Sequence, residues 1–281
     1  SNLYTSENIS QSDIDDYLAN IALDNVLTDE QAAMLDEMPT EDELAEAVKD
    51  IKENKSPGLD GLPAEFFKAF WDDLSDLYYH MIMESFTCGM LPYISRISVL
   101  SLLFKSHDRL NLDFYRPLSI TNCDYKIIAN VFARRLQSVI PYIINSDQTA
   151  CIKNRFIGCS IRNVIDIFDY VEENNSPGAL LFTDFRKAFD AIEHNFLFSV
   201  LKKFKFGNNF TQWIKTFYQN ASFKIKNNGW ISQPYSITRS LRQGCPMSAI
   251  LFIIVIEINK FSDYAGPKLS LSKLKVYGSE T

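Results

Sequence analysis

Apolar positions recur at helical spacing over much of the chain. Thr40-Glu-Asp-Glu43 has the capping-box pattern, and Leu44, Val48 and Ile51 then follow one face. That helix ends before Lys55-Ser-Pro-Gly58. Residues 54–63 carry Pro57, Gly58, Asp60, Gly61 and Pro63, which predicts a tight loop. Pro63 suits the first turn of the next helix, whose apolar face runs from Phe66 through Trp71, Tyr78 and Met81 to about residue 87. Arg96–Phe104 reads as a strand. Tyr125–Ile140 reads as an amphipathic helix with Arg134 and Arg135 on its polar side. Ile161–Val171 is another helix, closed by Asn174-Asn-Ser-Pro-Gly178.

The second half changes period. Ala179–Thr183 is a short apolar run of the kind that forms a buried strand, and it leads into Asp184-Phe-Arg-Lys-Ala-Phe-Asp190. Helices are predicted over 195–206 and 209–219, the first ended by Gly207. Residues 222–227 and 234–238 read as paired strands around Asn228-Gly229, a hairpin signal. Arg239–Pro246 is a loop, and Met247–Phe261 is a strongly apolar helix. The longest apolar run, Ala249–Ile256, is far shorter than the roughly 20 residues a bilayer needs. No signal peptide is evident, and the chain, which opens without Met, reads as a fragment. An intracellular protein, nuclear or cytoplasmic and neither membrane-bound nor secreted, is expected.

Composition supports a packed fold. Of 281 residues, 46% are hydrophobic, enough for a sizeable core. Cys88, Cys123, Cys151, Cys159 and Cys245 are odd in number and lack a CxxC, which favours reduced, plain buried thiols over disulfides or zinc. His80, His107 and His194 are isolated, so no histidine metal cluster is expected.

Charge at first argues against nucleic acid, because the net is −7. The total hides a split. Residues 1–54 hold 15 Asp and Glu against Lys49 and Lys52, a net of −13. The remainder holds 26 Lys and Arg against 20 Asp and Glu, a net of +6. An acidic lead segment precedes a mildly basic body.

Three segments carry candidate chemistry. Asp184 follows a buried strand, where a carboxylate suits Mg²⁺; a turn or helix cap explains the same residue. Arg242-Gln-Gly-Cys-Pro246 bends into an apolar helix. Gly244 permits close backbone approach, and Arg242 and Gln243 suit a phosphate or base edge; a plain turn and helix start explains them too. Lys105 and Arg116 suit a triphosphate clamp or a solvated surface.

Taken in order, residues 54–71 (NKSPGLDGLPAEFFKAFW), 115–136 (YRPLSITNCDYKIIANVFARRL), 147–163 (DQTACIKNRFIGCSIRN), 181–197 (LFTDFRKAFDAIEHNFL) and 239–252 (RSLRQGCPMSAILF) resemble the reverse transcriptase of LINE-type, non-long-terminal-repeat retrotransposons. The resemblance runs from about Leu3 to the end. It implies an α+β right-hand polymerase with fingers and palm, copying an RNA template from a DNA primer with deoxynucleotide triphosphates and two Mg²⁺ ions. On that resemblance Asp184 is the catalytic metal-binding aspartate. Phe189 lies under the incoming sugar, and Asp190 is structural. Gln243 and Gly244 contact the nascent pair, with Lys105 and Arg116 near the triphosphate. Arg242, Arg155 and Lys153 lie along template and primer, and Lys273 belongs to a motif D-like tail.

The same resemblance exposes a gap. Two-metal catalysis takes carboxylates from separate elements, and the family supplies the second in an Ala-Asp-Asp hairpin after the apolar helix. No such motif follows residue 252. Asp15-Asp16 lies in the lead segment, and Asp72-Asp73 lies on the predicted helix far upstream of Asp184. Asn259–Lys273 resembles the region beyond the hairpin, so an internal deletion near Glu257–Ile258 is the simplest origin. Smaller departures agree: Ala150, Cys151 and Asn154 stand where the family has Gly, an aromatic and Gly, Ser240 replaces a Gly, and Leu274-Lys275 replaces Thr-Glu.

The division expected is a connector and lead helix (1–54), an N-terminal extension with fingers (55–177) and an incomplete palm (178–281). Activity is expected to be lost. A sheet short of two strands should have an unpaired edge and exposed apolar surface. The alternatives are a non-enzymatic nucleic-acid-binding relic, using Arg134, Arg135, Lys153, Arg155, Arg162, Lys202, Lys203 and Lys205 on a basic face, and a pseudogene product without function. A group II intron maturase is disfavoured by residues 54–71. The sequence leaves the oligomeric state open.

Overall fold

The structure is a computed structural model, and it describes residues 2–175, 179–182, 185–258, 268–269 and 275–278. In chain order the elements are α1 (Gln11–Ala19), α2 (Asp29–Asp36), α3 (Glu41–Asp50), α4 (Ala64–Ala69), α5 (Trp71–Cys88), α6 (Tyr93–Arg96), β1 (Ile97–Phe104), β2 (Tyr115–Ile120), α7 (Cys123–Ile143) and α8 (Ile157–Glu173). There follow β3 (Ala179–Phe182), β4 (Phe185–Arg186), α9 (His194–Lys203), α10 (Asn208–Tyr218), β5 (Ser222–Asn227), β6 (Trp230–Ile231), β7 (Tyr235–Ser236), α11 (Ser248–Ile258), β8 (Lys268–Leu269) and β9 (Lys275–Gly278). The fold is mixed α+β, as expected.

Local chemistry explains most boundaries. Thr28 and Thr40 each close a capping box, with Gln31 and Glu43 reaching back to the cap backbone. Gly89 ends α5 in the left-handed region at φ +66°. The single helix predicted over 64–87 is two, α4 and α5, because Phe70 leaves helical geometry at φ −114°. Asn228 and Gly229 both have positive φ, the requirement of a two-residue hairpin turn, and β5 pairs with β6 across them. β7 extends this, pairing with the start of β5.

The larger sheet runs β2-β1-β5-β6, with β7 also on β5. β1 and β2 are antiparallel, with Leu103 opposite Arg116 and Phe104 opposite Tyr115. β1 and β5 are parallel although more than a hundred residues separate them, with Val99 beside Lys224 and Ser101 beside Lys226. One apolar core cluster runs from Ile14 to Ile258 and draws mainly on the helices α1–α5, α7 and α9–α11. Phe132 sits deep in it, against Phe210, Trp213 and Phe217. A smaller cluster packs Tyr4 against Leu100, Phe223 and Ile237 under the sheet.

Several expectations are corrected. Arg135 is not on a polar side: it is buried, and all its donors are taken. Its Nε and Nη2 grip Glu43 at 2.7 and 2.6 Å, and its remaining donors meet the carbonyls of Leu35, Glu37 and Met38. Arg134 pairs with Asp50. The acidic lead segment is thus docked on α7 through those two arginines. Cys123 and Cys245 are buried thiols, but Cys88, Cys151 and Cys159 are exposed. Strand β3 pairs antiparallel with β9, and β4 with β8, each in a two-stranded ladder. Exposed apolar surface is found instead on α8. No described helix is long and apolar enough to cross a membrane.

Candidate functional site

Of the residues singled out by sequence, Phe189, Asp190, Gln243 and Gly244 meet around the loop that precedes α11. Gly244 adopts φ +111°, and a Cβ placed there would lie 2.5 Å from the Ser119 carbonyl oxygen. Only glycine permits that approach. The neighbouring Gln243 carbonyl accepts from Ser119 N–H at 3.0 Å, so the loop is fastened to the end of β2. Leu241 N–H donates to the Phe189 carbonyl at 2.8 Å, and Ser240 N–H to that of Ile192 at 2.8 Å. Residues 189–193 and 240–244 therefore form one unit.

Asp190 is buried inside that unit. Its carboxylate receives the Gln243 amide at 3.3 and 3.4 Å and the Ser240 hydroxyl at 3.5 Å. Burial pushes its carboxyl up to about 6, against the opposing charge of Lys187 and those hydrogen bonds. This geometry is that of a structural tie. His194 lies behind it, with Nε2 3.0 Å from the Ser240 carbonyl and its ring against Tyr218. Burial lowers the His194 imidazole to about 4. Phe189 stacks on Phe252 of α11, centroids 4.8 Å apart.

Ser240 itself is held at φ +109°, a backbone region suited to glycine. Its substitution for Gly was visible in the sequence, and the structure shows the conformation it must bear.

Lys105 and Arg116 are both exposed and share one face. Arg116 sits opposite Leu103 in the ladder, and Lys105 extends that ladder by one residue, its N–H donating to the Phe114 carbonyl at 2.9 Å. Alternation along a strand puts 103 and 105 on the same side as 116. Lys153 is also exposed.

Two residues expected at nucleic acid are engaged within the fold. Arg242 is 0% exposed. Its Nη2 donates to the Arg96 and Phe217 carbonyls, and its guanidinium lies 4.8 Å from the Tyr125 ring centroid. It is an internal brace and presents nothing to a polynucleotide. Arg155 is committed to backbone. Its Nη1 donates to the Asn145 and Gln148 carbonyls, and its Nη2 to those of Pro141 and Ile144. It terminates α7, as a cation at a helix C-terminus does. Asp184 and Lys273, and most of the motif D-like stretch 259–273, lie outside the described residues.

One feature was missed. A cavity of about 410 Å³ opens between Gly244, Pro246 and the loop 52–56, and Lys52, Lys55 and Lys126 line it. The loop is held there by Asn122, whose Oδ1 accepts from Leu59 N–H at 2.8 Å. A Cβ on Gly58 would lie 1.8 Å from that same oxygen. Lysines flanking the Pro-Gly loop were the available signal.

The described residues do not make up a two-ion metal centre. Among them no three His, Cys, Asp or Glu side chains converge. Asp190 is directed to Ser240 and Gln243.

Comparison with known proteins places this arrangement. The family described as reverse transcriptase (RNA-dependent DNA polymerase) matches residues 105–262, more than half of the chain, and the chain belongs to that family. Within it, the chain groups with LINE-type, non-long-terminal-repeat retrotransposon polyproteins. The transposon TX1 uncharacterized 149 kDa protein of Xenopus laevis is 36% identical over 232 residues, covering 83% of this chain and 18% of the relative. The Pol polyprotein of the type-2 retrotransposable element R2DM of Drosophila melanogaster is 22% identical over 73% of this chain and 19% of the relative. That of the type-1 element R1 of Bradysia coprophila is 25% identical over 77% and 21%. The chain therefore spans about a fifth of the length of these relatives.

Proposed function

We propose that this chain is the core of a right-hand RNA-directed DNA polymerase that keeps its nucleotide and nucleic-acid contacts and has lost polymerisation. In this reading residues 1–54 are the connector and lead helix, 55–177 the N-terminal extension and fingers, and 178–281 an incomplete palm. Lys105 and Arg116 hold the triphosphate of a deoxynucleotide. Phe189 supports its sugar, and Gln243 and Gly244 contact the nascent pair of RNA template and DNA primer. The support for the contacts is the unit formed by residues 189–193, the 240–244 loop and β2, which carries Arg116.

One observation carries the loss. The strands facing β3 and β4, on either side of Asp184 in sequence, are β9 and β8. Their residues are Lys275-Val-Tyr-Gly278 and Lys268-Leu269, with no carboxylate among them. No carboxylate is thus offered by the described residues of these two strands, and no metal-dependent step is assigned. Primer extension on poly(rA)·oligo(dT) with dTTP and Mg²⁺ tests this. No incorporation is expected, whereas incorporation abolished by Asp184→Ala would overturn the loss. Retained dTTP binding, weakened by Arg116→Gln, is the expected sign of the surviving contacts.

A further inference from the structure

Helix α8 carries an apolar seam at alternating spacings of four and three, from Ile157 to Val171, the pattern of one strand of a coiled coil. Ile165 and Ile167 widen the seam at the flanking positions, where coiled coils usually place charge. No residue of the helix is buried. Ile157, Ile161, Ile165, Ile167 and Phe168 are each 46–61% exposed. A 17-residue helix rich in Ile and Val is marginal in water without tertiary cover. The charges of α8 lie off the seam and are unevenly placed. Arg162 stands in its first half, while Asp166, Asp169, Glu172 and Glu173 stand in its second. Arg162 pairs with Asp166 one turn on, at the surface. Asp169, Glu172 and Glu173 have no ionic partner among the described residues.

We propose that α8 is a self-association surface, pairing antiparallel with α8 of a second copy of this chain about a two-fold axis at the level of residue 166. Two observations select that occupant. The first is charge. A parallel pair would set the two acidic second halves side by side. An antiparallel pair sets each against the first half of the other helix, where Arg162 and the positive end of the helix dipole lie. In that register Phe168 meets Val164 of the second copy, Ile161 meets Val171, and Arg162 comes beside Asp169, twice over by symmetry. The second is area. The five exposed side chains leave on the order of 100 Å² each, and with the half-buried Val164 and Val171 the seam offers roughly 600 Å² per chain. The pair would bury roughly 1,200 Å² in all, the lower bound of a stable interface. The association is therefore weak, in the micromolar range, and α8 is bare in dilute solution. The pairing rests on α8 alone and is independent of the polymerase reading.

The test is sedimentation equilibrium of the full chain from about 1 to about 100 µM, the range that brackets micromolar dissociation. The mass should rise from that of one chain to that of two and stop there. Ile161→Ser/Phe168→Ser should hold the chain as a monomer throughout. Leu110→Ser, at an exposed apolar position outside α8, should leave the dimer unchanged. Arg162→Glu should weaken the dimer about tenfold, since two cross-pairs become repulsive. Adding Asp169→Arg to Arg162→Glu should restore it, because the cross-pairs re-form with their signs exchanged. Circular dichroism on each variant checks the fold. A parent chain that stays monomeric at the highest concentration, or that grows past two copies without limit, overturns the proposal. So does an equal loss of dimer in the Leu110→Ser variant. A double charge variant no tighter than Arg162→Glu alone overturns the antiparallel register and the proposal with it.

Discussion

Helices α7 and α8 follow one another in the chain, and both are amphipathic, yet they end in opposite states. Twelve of the 21 residues of α7 are buried. None of the 17 residues of α8 is. Ile157, Ile161, Val164, Phe168 and Val171 repeat at spacings of four and three, an apolar seam as regular as any in the molecule. Periodicity therefore specifies a helix and its apolar face, while what covers that face comes from elsewhere in the chain. α7 is covered by α2, α3, α10 and α11, all present. The described strands next to α8 in sequence form only the short β3–β9 and β4–β8 ladders. In the reading proposed above, a palm without its hairpin leaves such a seam without cover.

The largest expected effect separates the two helices directly. Phe132→Ala in α7 should cost about 3–5 kcal/mol in denaturant unfolding, because it empties a site walled by three aromatic rings. Phe168→Ser in α8 should stay within about 0.5 kcal/mol, since that ring is 48% exposed. The α8 change should also lower dye binding to exposed apolar surface and improve solubility. Equal destabilisation by the two would mean that α8 is covered in solution, and the comparison would fail.

The docking of the acidic segment on α7 comes next. Arg135→Ala should cost about 3 kcal/mol, because Glu43 is left beside a site built for a cation. Glu43→Gln should cost about 1 kcal/mol, since it keeps part of the hydrogen bonding. Burial alone would raise the Glu43 carboxyl, but hydrogen bonds from Arg135 and Thr40 and the Arg135 charge outweigh it and hold the group below its usual value. A lowered carboxylate stabilises the fold above its unfolded value, and that stability is lost as pH falls through the folded one. The parent chain should lose this increment in acid, and Glu43→Gln should not. Acid unfolding curves that superimpose would remove the link.

These cases show where sequence reading reached and where it stopped. Caps and turns were legible because they are local: Thr40 with Glu43, the loop 54–63, Asn228-Gly229. Ser240 in place of glycine was legible only through the family resemblance. The antiparallel β2 and the parallel pairing of β1 with β5 were not, since register depends on partners far along the chain. Gln243, Gly244 and Phe189 were singled out by motif, and their convergence needed the fold. The burial of Arg242 and the backbone bonds of Arg155 were not legible, because an arginine's partners depend on the fold around it. The guanidinium that suits a phosphate equally suits carbonyls at a helix end.

Ser240 supplies a gain where the other changes supply losses. Ser240→Gly should stabilise the chain by about 1 kcal/mol by relieving φ +109°, less whatever the 3.5 Å hydroxyl contact with Asp190 contributes. Thermal and denaturant unfolding would both report it. A neutral or negative result would mean that the contact outweighs the strain.

The smallest effect is a pH dependence hidden by cancellation around that same residue. Asp190, raised by burial from 3.8 to about 6, holds its proton longer in the folded chain. Its contribution is present in acid and is lost as pH rises through about 6. His194, lowered by burial from 6.5 to about 4, stays neutral longer in the folded chain. Its contribution is present above 6.5 and is lost as pH falls toward about 4. The two slopes oppose each other between about 4 and 6. Asp190→Asn should unmask the histidine, so that stability falls with acidification through this window. His194→Gln should unmask the aspartate, so that stability rises there. The difference between the two variants, measured at several pH values, isolates the pair from every other titrating group. Parallel slopes would show that the buried unit around Ser240 admits water, and would bring this part of the core closer to the bare face of α8 than to the packed interior of α7.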